Sequence, residues 1–207
     1  AWMYCGFNSE NAAREALVDR YPREQFTLAT KLHAGFLKEK EDRDRIFNEQ
    51  LKKTGVDYFD YYLLHDIGVD HYEIYNRLDC FSWLMEKKRQ GLVKKIGFSF
   101  HDNAELLDQV LSEHPEMDFV QLQINYIDWE SPIIQSRRCY EVCQERGLPV
   151  VIMDASNATM RLTNSASAWR RSRRWKRRGR AKPSSRSRTR RQGGARLHPQ
   201  AKTRCAA

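Results

Sequence analysis

No run of about 18 apolar residues occurs in this 207-residue chain, which argues against a membrane-spanning helix. The amino terminus places no basic segment before an apolar one, so the layout of a secretory signal is missing too. Cysteine is sparse: Cys5, Cys80, Cys139, Cys143 and Cys205 are odd in number and scattered, without the two close pairs that a zinc or iron–sulfur site usually needs. The reading is a soluble, reduced, cytoplasmic protein with no metal site. Cys139 and Cys143, at i and i+4 of a helical pattern, read as small buried hydrophobes. Also lacking is G-x-G-x-x-G after a first strand, the usual mark of a doubly wound dinucleotide-binding sheet.

Acidic residues are absent after Asp154, where 17 of the 36 Lys and Arg residues lie. The remaining 19 basic residues face 27 acidic ones, so the net +9 of the whole chain hides a body of about −8. Two regions follow, 1–154 and 155–207. The second, with Trp169 and Trp175 set among Arg runs and then an Arg, Ser, Gly and Ala mixture, has no periodicity and is expected to be disordered. Its composition suits non-specific contact with nucleic acid, but the abrupt switch after Pro149–Asp154 reads more simply as out-of-frame sequence than as an evolved arm.

Within the body, apolar runs rich in β-branched and aromatic residues alternate with helical patterns. Residues 26–32, 58–65, 93–100, 119–125 and 149–154 read as strands. Between them Leu106, Leu107, Val110 and Leu111 share one helical face. Ser9 and Asn103 are candidate N-caps, and Gly55, Gly91 and Gly147 close three helices. Strand-to-strand repeats of roughly 25–35 residues suit right-handed βαβ crossovers, and without a hairpin signal the sheet should be parallel. The missing glycine motif tilts an otherwise open choice from a doubly wound sheet toward a barrel. The fold class is therefore α/β, a parallel (β/α)8 TIM barrel of which about five to six βα units are present, since a whole barrel takes about 250 residues.

In such a barrel reactive side chains project from the carboxyl ends of strands. The polar residues at these places are Tyr4, Lys31, His65, Ser99 and Gln123. Reduction of a carbonyl by hydride needs a proton donor, and a phenol with pKa near 10 serves only when a nearby cation lowers it. Lys31 is the candidate cation. A neutral His65 would polarise and orient the carbonyl by a hydrogen bond. Taken singly each residue is more often structural; the ordered set is what suggests chemistry. Asp60 and Asp66 read as loop or capping groups, and His33, His71, His101 and His114 as loop or surface residues, with His101 nearest to a cofactor role.

The segments A-W-M-Y, G-F-N-S-E, L-A-T-K, Y-Y-L-L-H, I-G-F-S and Q-I-N-Y, in this order and spacing over residues 1–153, resemble the aldo/keto reductase family. Y-Y-L-L-H-D-I-G and G-F-S-F-H-D look closest to bacterial members that carry a C-terminal ferredoxin-like extension when full length, whose cysteines this chain does not have. The resemblance implies NADPH- or NADH-dependent reduction of an aldehyde or ketone, a small-molecule carbonyl. It makes Tyr4 the general acid, Lys31 the residue that tunes it and His65 the carbonyl-orienting residue, with Ser99 and Gln123 on the nicotinamide carboxamide. The family's Asp five positions before the Tyr has no counterpart in this sequence, and Phe100 stands where many relatives have Asn. Two other readings remain beside the reductase: a catalytically inactive truncated fragment whose barrel does not close, and a nucleic-acid binder acting through the tail.

Overall fold

A computed structural model describes residues 2–155. Among them β1 (Ala29–His33), β2 (Phe59–Ile67), β3 (Val93–Phe100), β4 (Phe119–Gln123) and β5 (Val150–Met153) form one sheet in the order β1-β2-β3-β4-β5, every neighbouring pair parallel. The order never reverses. A doubly wound sheet has a switch point where it does, whereas a barrel adds each strand beside the last, so the topology is that of the barrel.

The sheet is also strongly curled. Lys31 on β1 donates from Nζ to Oε1 of Gln121 on β4 at 2.6 Å, and the Tyr61 ring of β2 meets that of Phe119 on β4 at 5.5 Å. Three inter-strand steps of about 4.8 Å would hold β1 and β4 some 14 Å apart in a flat sheet, too far for this pair of side chains. Gly97 permits the closeness of β3 and β4: a Cβ there would stand 2.4 Å from the Phe119 carbonyl oxygen and 2.9 Å from its ring.

Register separates the two faces. Lys31 lies beside Leu63, Leu63 beside Gly97 and Gly97 beside Phe119, while His33 pairs with His65 and Ser99 with Gln121. Side chains two apart share a face, so Lys31, His33, His65, Ser99, Gln121 and Gln123 look toward the concave side. The alternate residues Leu32, Tyr62, Leu64, Ile96, Phe98 and Val120 are wholly buried against the helices. These are α3 (Glu41–Thr54), α4 (Val69–Arg77), α5 (Cys80–Arg89), α6 (Ala104–Glu113) and α7 (Ser136–Glu145), following the short α1 (Tyr4–Phe7) and α2 (Ser9–Ala13). Tyr62 packs on Phe47 of α3 and Trp83 of α5, with ring centroids at 5.2 and 6.1 Å. Cys139 and Cys143 of α7 are buried in the same core, as their spacing suggested.

Strand β1 begins three residues later than the apolar run, because the backbone before it is occupied. Leu28 N–H donates to the Asp60 carboxylate at 2.8 Å, and the Phe26 carbonyl accepts from Arg23. Helix ends follow the sequence at Asn103, whose Oδ1 accepts from Leu106 N–H at 2.8 Å, and at Gly55, which closes α3 at φ 71°. Ser9 is not the cap expected of it; Asn8 takes that place with helical backbone angles, since the chain is already turning from Tyr4. The expected disordered tail, beyond Ala155, lies outside the described residues. No helix among the described residues is long and apolar enough to cross a membrane.

Candidate active site

Tyr4 does not end a strand, as its place in the sequence pattern suggested, but opens α1, a turn that passes through left-handed Cys5, Gly6 and Phe7 at φ 54°, 62° and 64°. Gly6 adopts that region freely, but for Cys5 and Phe7 it is costly, so the surroundings must hold them. The Trp2 ring meets Phe7 at 4.8 Å and Phe36 at 5.2 Å, and Lys53 Nζ donates to the Phe7 carbonyl at 3.1 Å. Just beyond, Thr30 Oγ1 of β1 donates to buried Glu10 of α2 at 2.7 Å. The N-terminal segment is thereby pinned to β1 and α3, and the Tyr4 hydroxyl lies 2.9 Å from His65 Nε2.

His65, only 6 % exposed, is held at its backbone. Its N–H donates to Tyr75 Oη at 3.0 Å, and the same oxygen accepts from Ala34 N–H, so one phenol of α4 ties the ends of β1 and β2. Burial, then the positive charge of Lys31, pushes the His65 pKa down to about 3, and the ring is neutral at pH 7. Its Nδ1 is buried without a partner among the described residues.

Lys31 reaches Gln121 rather than the phenol. Burial lowers its pKa, while Asp154 and Asp66 pull the other way. The expected depression of the Tyr4 pKa is not found either: burial raises it, and the negative charges of Asp66 and Asp154 raise it further. The structure thus brings Tyr4 and His65 into contact, while the Lys31 ammonium, whose charge is felt by His65, is engaged by Gln121.

Ser99 is wholly buried, and its Oγ accepts from the Asp66 N–H at 2.8 Å. That bond holds Asp66 in a left-handed conformation, φ 60°, where the β2–β3 register shifts between Leu64 and Ile67. Gln123, half-buried, donates from Nε2 to Asp128 Oδ2 at 2.9 Å. It borders a cleft of about 110 Å³ lined also by Phe100, His101, Asp102, Ile134 and Ser136. Asp60, expected as a loop or capping group, lies instead within β2, its buried carboxylate accepting from Leu28 N–H, Arg23 and Lys94. Asp66, Asp154, His33 and His71 were not expected at the site. Asp66, Asp154 and His33 sit at or just past the end of an apolar run, the signal that picked out Lys31 and His65, and could have been found by it, whereas His71 lies inside α4 and gave no such signal.

The aldo/keto reductase family model matches residues 1–192, past the 154 boundary drawn from composition. Methylglyoxal reductase DkgA of Salmonella typhimurium is 31 % identical over 107 residues, 49 % of this chain and 36 % of that protein. Among solved structures, a thermostable aldo-keto reductase in complex with the inhibitor epalrestat aligns with TM-score 0.62 and 25 % identity over 87 % of this chain and 62 % of the other. The aldo-keto reductase AKR2E4 of Bombyx mori in complex with NADP aligns with TM-score 0.54 and 22 % identity over 72 % and 49 %. The chain spans about 36–41 % of the length of the curated relatives it matches. On its strand order, its curl and this match, the chain belongs to the aldo/keto reductase family.

Proposed function

We propose that the protein of which this chain carries the Tyr–His wall reduces a small aldehyde or ketone to the alcohol with NADPH or NADH. The observation that carries the reading is the 2.9 Å contact between the Tyr4 hydroxyl and His65 Nε2 at the carboxyl ends of the strands. A carbonyl oxygen placed between them would be polarised by the neutral imidazole and receive the phenolic proton as negative charge develops. His65 suits this part because burial keeps it uncharged, so it competes for no proton.

A nicotinamide dinucleotide supplies the hydride when bound, and its carboxamide needs one acceptor and one donor. Gln123 fits, lining the cleft with Nε2 engaged by Asp128, which leaves its carbonyl oxygen to accept. Ser99, whose Oγ accepts from Asp66 and keeps one proton to give, is the second proposed contact. Lys31, whose charge acts on His65, is proposed as the residue that tunes Tyr4 once its ammonium leaves Gln121 for the phenol. The thiols of Cys5, Cys80, Cys139 and Cys143 are free, which supports a reducing, cytoplasmic setting. The test is fluorescence titration of the chain with NADPH and NADH together with aldehyde turnover. Binding of either cofactor with turnover lost in Tyr4→Phe is the expected result, and turnover unchanged in that variant overturns the reading.

A further inference from the structure

Three side chains outside the Tyr4–His65 pair converge at the carboxyl ends of β1 and β2: His33 ends β1, Asp66 follows His65 on β2, and His71 lies in the first turns of α4. One donor atom from each lies within 4.8 Å of the other two. We propose that His33, Asp66 and His71 bind a divalent cation of the zinc class beside the Tyr–His pair.

Geometry and ligand chemistry both point there. Three atoms within 4.8 Å of one another fit around a single point at no more than about 2.8 Å, and zinc bonds to imidazole nitrogen and carboxylate oxygen run about 2.0–2.2 Å. Each side-chain end therefore closes by less than about 1 Å. Two imidazoles with one carboxylate suit zinc and its borderline neighbours, whereas magnesium and calcium ask for oxygen throughout.

The cluster is also held in place by groups behind it. Asp66 stays left-handed because Ser99 Oγ binds its N–H, which aims the carboxylate back among the histidines. His71 Nδ1 lies 2.6 Å from the Asp66 backbone carbonyl, an acceptor only, and 3.6 Å from Asp66 Oδ2, so Nδ1 carries the proton toward Asp66. Nε2, on the other side of the ring, keeps its lone pair, and the carboxylate must shift to share a cation with it. A carbonyl on one ring nitrogen and a cation on the other is how ligating histidines are commonly oriented. His33 Nδ1 accepts from Gly35 N–H at 2.9 Å, so a cation on this ring either takes that lone pair or displaces the proton from Nε2. His101 Nε2, 4.0 Å from Asp66 Oδ1, stands within reach as a fourth donor. The His33 and His65 rings are 5.0 Å apart, so a bound cation would sit beside the proposed catalytic pair and oppose carbonyl binding there.

The proposal does not need the reductase reading, since binding is measured without cofactor or substrate. Isothermal titration of the full reduced chain with zinc chloride is expected to give one site per chain, and cobalt chloride a visible ligand-field spectrum. Asp66→Asn, which keeps the residue tolerant of the left-handed region, and His71→Gln should each weaken zinc by more than about tenfold. Cys5→Ser should leave it unchanged. Equal affinity in the wild-type chain and in both ligand variants overturns the site, as does loss of binding only in Cys5→Ser, His198→Gln or Cys205→Ser. Circular dichroism identifies a variant that fails to fold, and the other ligand variant then decides.

Discussion

The Tyr4 hydroxyl rests 2.9 Å from His65 Nε2, across 61 residues of sequence, with the two rings nearly perpendicular. Nothing in either local segment creates this contact. It arises because Trp2, Phe7 and Phe36 pack the first turn against the sheet while Tyr75 holds the end of β2.

Replacing Tyr4 by Phe removes the proton donor and little else, since the ring keeps its edge-on contact with His65. Carbonyl reduction should fall about 10²–10⁴-fold, the usual worth of a general acid, with cofactor affinity retained. Steady-state kinetics beside a fluorescence titration measures the two separately.

Because burial, Asp66 and Asp154 raise the Tyr4 pKa, the phenol stays protonated beyond its ordinary value of about 10. The alkaline fall of the rate should therefore lie above pH 10 or so. Removing one negative charge favours the phenolate, so Asp154→Asn should shift that fall toward lower pH. A pH–rate profile with no shift would show that Asp154 does not act on Tyr4.

His65 gives a stability prediction at the other end of the scale. Its folded pKa of about 3 lies below the ordinary 6.5, so the folded state binds fewer protons than the unfolded one. The contribution of this ring is complete above pH 6.5 and is lost as the pH falls toward 3. In His65→Gln the melting temperature should decline less steeply over that interval than in the parent chain.

Gly97 and Ser99 test the wall behind the site. A Cβ at Gly97 would meet backbone of β4 at 2.4 Å, so Gly97→Ala should cost about 1–3 kcal/mol or more in urea unfolding. Ser99→Ala leaves the Asp66 N–H without its acceptor, a loss of about 1–3 kcal/mol. If Ser99 also serves the cofactor, NADPH affinity drops in Ser99→Ala and is spared in a variant of equal instability elsewhere in the core.

Much of the fold was legible because apolar runs and helical spacing are local. Residues 93–100 read as a strand and are one, and β4 and β5 fall within the runs that suggested them. The barrel reading needed more than the runs: the missing glycine motif tilted it, and the unreversed strand order settles it. At the site, Lys31 and His65 were found as polar residues closing apolar runs. Asp66 and His33 were passed over, since a charged or imidazole residue after an apolar run is ordinarily a solvated turn, and His71 because it lies within a helix; that the three side chains meet is not a local property.

By itself the sequence determined which segments become strands, which of their faces is polar, and which side chains stand at the carboxyl ends, because backbone period and side-chain polarity settle these within a few residues. Only the tertiary structure decided that Lys31 is held by Gln121, that Tyr4 leans on His65 from a left-handed turn, and that Asp66 gathers histidines about it. Those pairings depend on how far the sheet curls and on where a turn outside its register is pinned, which are properties of the packed whole.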